Sequence, residues 1–151
     1  MSELARRSLA GMWFALSGLI PVAFYLLLES DRKQFGAAYL LLFAACPVLI
    51  AGVCGFSLGS RILDRDEIRT SGQAMVCGLL VALLSYLLFF TTSALILSPR
   101  DDDPAGFLVG WAVVFIYGLI YVGWVIATVG VIGGWLLYLY RLKKFDHKQR
   151  V

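Results

Sequence analysis

The sequence predicts an all-α membrane protein: a bundle of four transmembrane helices, N and C termini both cytoplasmic, with a long fourth helix extending toward the cytoplasm. Three observations carry this. Residues 105–140 form some 36 consecutive positions without a charged side chain, ending against Arg141, Lys143 and Lys144. The 151-residue chain is 60 % hydrophobic and 15 % charged, whereas a globular chain averages about 25 % charged; its mean hydropathy is +0.83. Finally, Lys and Arg stand beside the apolar runs rather than on a foldable basic face, so the net charge of +3 reads as an orientation signal and not as a nucleic-acid site. No polar interval is long enough for a soluble domain, and residues 1–151 are read as one membrane-embedded unit.

The first span covers residues 9–28. Pro21 lies inside it, removes one backbone donor and frees the Ser17 carbonyl, which predicts a kink. The run is longer than the apolar region of a secretory signal and lacks a small-residue cleavage site before Glu29, so it is read as retained. The second span, residues 35–58, contains Pro47 and a series of small residues, Ala45, Gly52, Gly55 and Gly59, whose spacing lets another helix approach closely. Residues 60–71 carry Arg61, Arg65 and Arg69 at i, i+4 and i+8, one side of the segment if it is helical. Ile62, Leu63 and Ile68 would then rest on the membrane interface. The third span, residues 72–97, has Ala74, Gly78, Ala82 and Ser85 as its small-residue side. Residues 98–104 form an acidic turn bracketed by Pro99 and Pro104, which stop helices.

The fourth span, residues 105–140, is too long. As one helix it would run about 54 Å against a hydrocarbon core of roughly 30 Å. A tilt, a projection into the cytoplasm or a break at Gly130–Gly134 would absorb the excess; a continuous or bent helix emerging on one side is expected, because a second crossing needs a polar hairpin that the sequence lacks. Four spans bring both ends to one side, and ten of the 13 Lys and Arg then fall on the side of the termini and the middle loop. By the positive-inside rule that side is the cytoplasm, as in a bacterial inner membrane or an equivalent one.

The sequence excludes more chemistry than it suggests. No Asp, Glu, Lys, Arg or His falls in the middle of a span, which argues against a proton-coupled pump. The only histidine, His147, lies in the basic tail, so a His-ligated haem within the membrane has no ligand. Cys46, Cys54 and Cys77 show no C-x-x-C spacing and read as small apolar residues. Asp101, Asp102 and Asp103 are adjacent carboxylates that cannot all converge on one cation, and read as an acidic turn. No catalytic residue and no metal site is assigned, and no motif of a lipid phosphatase, a phosphotransferase or a small multidrug exporter is present.

Binding surfaces are the remaining candidates. At about 100° per residue, Gly123, Ala127, Gly130 and Gly134 fall on one stripe of the fourth span, a small-residue seam for close helix contact within this chain or with a partner. Gly52, Gly55 and Gly59 form the corresponding seam of the second span. A neighbouring stripe of the fourth span gathers Tyr117, Tyr121, Trp124, Thr128 and Trp135. Tyr and Trp prefer the interfaces, so Tyr117, Tyr121 and Trp124 near mid-membrane predict buried contact with protein or with a lipid, quinone or pigment. Arg61, Arg65, Arg69, Arg141, Lys143 and Lys144 are candidates for anionic lipid headgroups. The expectation is a non-catalytic accessory, assembly or scaffold subunit of a larger integral-membrane complex, or of a homo-oligomer, in contact with membrane lipids and without a resident cofactor. The alternative is a small transporter or flippase for a lipid-linked or apolar substrate, with the Pro21 and Pro47 kinks on its pathway.

Overall fold

The computed structural model describes residues 3–28, 37–64, 68–97 and 104–146. These residues are helical almost throughout, with no strand among them: α1 (Glu3–Leu28), α2 (Ala37–Ser57), a 3-10 turn (Gly59–Leu63), α3 (Ser71–Leu97), α4 (Pro104–Tyr121), α5 (Gly123–Arg141) and a closing π-helical turn (Leu142–Asp146). Arg65, the turn Asp101–Asp103 and His147 lie outside the described residues. Two helical stretches, Ser71–Ser93 and Gly123–Lys144, are long and apolar enough to cross a membrane, and only 22 % and 33 % of their most apolar windows are buried within the chain. A core helix of a water-soluble protein shows the reverse, because burial is what stabilises its apolar side chains.

Side-chain hydroxyls follow the same logic. Ser17, Ser57, Ser85, Thr91 and Thr128 each donate to the carbonyl four residues earlier in their own helix, which satisfies each hydroxyl within its own helix. Leu16, Ile20, Leu49, Val53, Leu80 and Ile120 are all exposed.

Two tight helical hairpins make up the molecule. In the first, α1 and α2 approach through small residues: a methyl added at Gly55 would lie 2.7 Å from Cβ of Phe14, and one at Gly52 would lie 3.3 Å from Cβ of Ala15. In the second, α3 runs antiparallel to α5, and a methyl at Gly130 would fall 2.5 Å from Cβ of Ala82 and 2.8 Å from the Gly78 carbonyl oxygen. Absence of a Cβ on these faces is what lets the backbones close.

The hairpins meet through a core at one end, formed by Ala10 and Phe14 of α1, Cys54 of α2, Ile62, Leu63 and Ile68 of the connecting segment, Ala74 and Val81 of α3 and Leu137 of α5. The middle loop is therefore not the helical row that its arginine spacing allowed. Residues 59–63 form a 3-10 turn, and Asp64 turns extended with φ −87° and ψ 129°. Ile62, Leu63 and Ile68 enter the protein core instead of resting on an interface, since each is at most 6 % exposed. Thr70 and Gln73 then start α3 as a capping box. The Gln73 amide donates to Thr70 Oγ1 at 3.3 Å, and Gln73 Oε1 accepts from the amides of Arg69 and Thr70, so orphan donors at the helix start are satisfied reciprocally.

The long apolar run bends at Val122, and Gly130–Gly134 stays helical. Val122 takes φ −118° and ψ −20°, and its carbonyl accepts from the amides of both Val125 and Ile126. The interruption sits between Gly118 and Gly123, where the helix is least stiff, and the Tyr86 hydroxyl donates to the Phe115 carbonyl at 3.2 Å just before it. A side chain entering the carbonyl ladder next to glycine is a recognised origin of a kink.

Candidate functional site

The basic end is assembled from three distant segments. Arg6 of α1 pairs with Asp64 at 3.0 Å, with both side chains about one-third exposed. Tyr138 of α5 donates its hydroxyl to the Arg69 carbonyl at 3.2 Å. Arg141, at the end of α5, is 5 % exposed and directs its Nη1 to the carbonyl oxygens of Ile62 at 3.0 Å, Asp64 at 2.9 Å and Ile68 at 2.8 Å. Its guanidinium lies 4.6 Å from the centroid of the Tyr138 ring. These carbonyls belong to backbone that leaves helical geometry, so a charged donor completes what the helix ladder does not.

Arg141 thus differs from the other lipid-headgroup candidates in that its Nη1 is turned onto the chain's own carbonyls and its side chain is buried. The same contacts bring the end of the fourth span back onto the middle loop, so residues 135–141 do not project freely. Lys143 and Lys144 are exposed, the latter donating to the Tyr140 hydroxyl at 2.8 Å, and Arg61 and Arg69 are exposed beside the start of α3. That leaves Arg61, Arg69, Lys143 and Lys144 as the described cations with outward-facing side chains among the lipid-headgroup candidates.

The small-residue seams face inward. Gly52, Gly55 and Gly59 pack on Ala10, Phe14 and Ala15 of α1, and Gly130 and Gly134 pack on Ala74, Gly78 and Ala82 of α3. The room beside Gly123 is taken by Leu119 of its own run, and Ala127 is half-buried. Gly52, Gly55, Gly59, Gly130 and Gly134 thus make the close helix contact within this chain.

The aromatic stripe faces outward. Tyr117 is 59 % exposed, Tyr121 70 %, Trp124 62 % and Trp135 38 %. Thr128 is exposed as well. Trp124 donates its indole N–H to the Tyr121 carbonyl at 3.0 Å. Within the chain the predicted burial of this stripe is not met, because among the described residues α4 packs on α3 and on its own continuation α5. The contact with α3 is aromatic: Phe90 meets Phe115 edge-on at 5.5 Å and Trp111 edge-on at 6.2 Å.

Between the two hairpins, midway along the helices, lies a partly enclosed apolar cavity of about 220 Å³. Pro21, Pro47 and Val122, the three irregular points of the helices, all border it. The prolines were legible in the sequence but the cavity was not, because no local pattern says that Pro21, Pro47 and the interruption at Val122 fall at one level. Among the described residues no group of three or more His, Cys, Asp or Glu side chains is placed to hold a metal ion. Cys54 is buried, Cys46 and Cys77 are half-buried, and none of the three is in a disulfide. Comparison with known protein families, with curated proteins and with solved structures finds no match for the chain.

Proposed function

We propose that the chain is a four-span integral-membrane protein with both termini cytoplasmic that works as a non-catalytic accessory or assembly subunit, presenting its α4–α5 face to another membrane subunit or to a second copy of itself. The observation that carries the reading is the outward position of Tyr117 and Tyr121 on α4, which packs little on the other described helices, with Trp124 exposed beside them at the start of α5. In a bilayer these positions fall near mid-depth, where a phenol hydroxyl has no water and its placement against protein is favoured over placement against lipid. The inward-facing glycines remove the argument from surplus seams and leave this face as the partner surface. Extraction in a gentle detergent followed by sizing tests it: a stable larger species containing a second membrane protein, or a defined oligomer, is expected.

A second reading, a small transporter or flippase for a lipid-linked or apolar substrate, is favoured by the meeting of Pro21, Pro47 and Val122 around the cavity, since helix irregularities at one level supply hinges. Reconstitution with a labelled lipid tests that reading, and transport no faster than in protein-free vesicles counts against it.

A further inference from the structure

We propose that the cavity between the hairpins holds one hydrocarbon chain of a bilayer lipid as a fixed component of the fold. Its walls come from both hairpins, including Pro21 of α1, Ala51 of α2, Ser85 and Tyr86 of α3, and Ile126 and Val129 of α5. Close-packed interiors leave few voids larger than a water molecule, and an engineered apolar cavity of about 150 Å³ stays dry and accepts benzene. This one, at about 220 Å³, is larger, so it is a binding space and not a packing defect.

The polar atoms on its walls decide what enters. Ser17 donates its hydroxyl to the Trp13 carbonyl at 2.9 Å, Ser85 to the Val81 carbonyl at 2.6 Å and Tyr86 to the Phe115 carbonyl at 3.2 Å. Each hydroxyl proton is committed to backbone, and a buried water needs two to four polar partners. These hydroxyls keep acceptor lone pairs and Pro21 leaves the Ser17 carbonyl without its helix donor, but none of the lining residues is charged, so a headgroup is not served by such a wall. The shape points the same way: the lining runs along α3 from Val81 to Phe90, about 14 Å at 1.5 Å per residue, which suits an extended chain better than a compact ring.

The occupant is a lipid of the surrounding bilayer because the outer faces beside the cavity, including Leu49, Val53 and Leu80, are exposed and apolar. In a membrane those faces are bathed in acyl chains at high concentration. Pro21, Pro47 and Val122 all border the space, while the core around Leu137 and Ile62 closes the hairpins at the basic end. The inference rests on the membrane placement proposed above but not on a partner subunit.

The test uses the full-length protein in phosphatidylethanolamine–phosphatidylglycerol vesicles doped with a phospholipid carrying a diazirine in mid-chain, with adducts mapped by peptide mass spectrometry. Adducts are expected at Ser85, Ile126 and Val129 in excess of those at Leu49 and Val53. Val129→Trp, which fills the cavity, should lower the cavity adducts at least fivefold with helicity unchanged; should that variant fail to fold, Ser85→Leu and the wild-type map decide. A phospholipid with the diazirine on its headgroup should leave the cavity unlabelled. Labelling confined to outward residues, cavity labelling that survives a folded Val129→Trp, or cavity labelling by the headgroup probe overturns the inference. Failure of the protein to float with the vesicles overturns the membrane reading instead.

Discussion

The Arg141 guanidinium donates to the Ile62 carbonyl oxygen at 3.0 Å across 79 positions of sequence. Together with its bonds to Asp64 and Ile68, this ties the last turn of α5 to the segment that joins the two hairpins. The molecule is thereby closed at its basic end.

Arg141→Leu should therefore destabilise the protein strongly. It removes the guanidinium donor from the Ile62 and Ile68 carbonyls, while the Asp64 carbonyl keeps the Ile68 amide, and an unsatisfied buried group costs about 1–3 kcal/mol; a total loss of about 3 kcal/mol is expected in thermal unfolding followed by circular dichroism in detergent. Lys143→Leu and Lys144→Leu, at exposed positions, should leave the midpoint unchanged. Equal effects at all three positions would return Arg141 to the role of a surface cation.

Gly134→Ala should loosen the second hairpin, since its added methyl runs into the Ala74 carbonyl and lies 3.0 Å from Cα of Gly78. Overpacking of this kind costs about 1–3 kcal/mol. Gly110→Ala, where a methyl meets nothing within 4 Å, should be neutral or slightly stabilising. The same unfolding measurement compares them.

The proposed topology makes a direct prediction. Reporter fusions ending after Asp64 and after Val151 should report a cytoplasmic location, and fusions after Asp31 and Asp101 the opposite side. Any other alternation contradicts four spans with both ends inside.

The helices and the two small-residue seams were legible in the sequence because both are local: apolar length and i, i+4 spacing survive without knowledge of the neighbours. Gly130 and Gly134 announced a close helix, and Gly78 announced its counterpart, but nothing local stated that the two belonged to each other. The burial of Arg141 was not legible, for a physical reason. At the end of a span the positive-inside rule calls for a cation whatever its partners are, so a buried staple and a solvated flank look alike. The interruption at Val122 was hidden because an apolar run with scattered glycines does not mark which position leaves the helix. Cavity and basic end both arise where segments far apart in sequence converge, which periodicity does not encode.

The outward aromatic face should be dispensable for folding and needed for association. The triple variant Tyr117→Ala, Tyr121→Ala, Trp124→Ala removes side chains that are each more than half exposed, so its thermal midpoint in detergent should stay within a few degrees of the parent. Its association should weaken at least tenfold in a pull-down from native membranes.

Sizing of the parent protein after gentle extraction from its native membrane, with every co-eluting protein identified, tests the central claim most directly. The account predicts a stable species larger than one 16.7 kDa chain in its detergent belt, containing a second membrane protein or a defined number of copies, and lost in the triple variant. A monodisperse monomer with no co-purifying protein would contradict it.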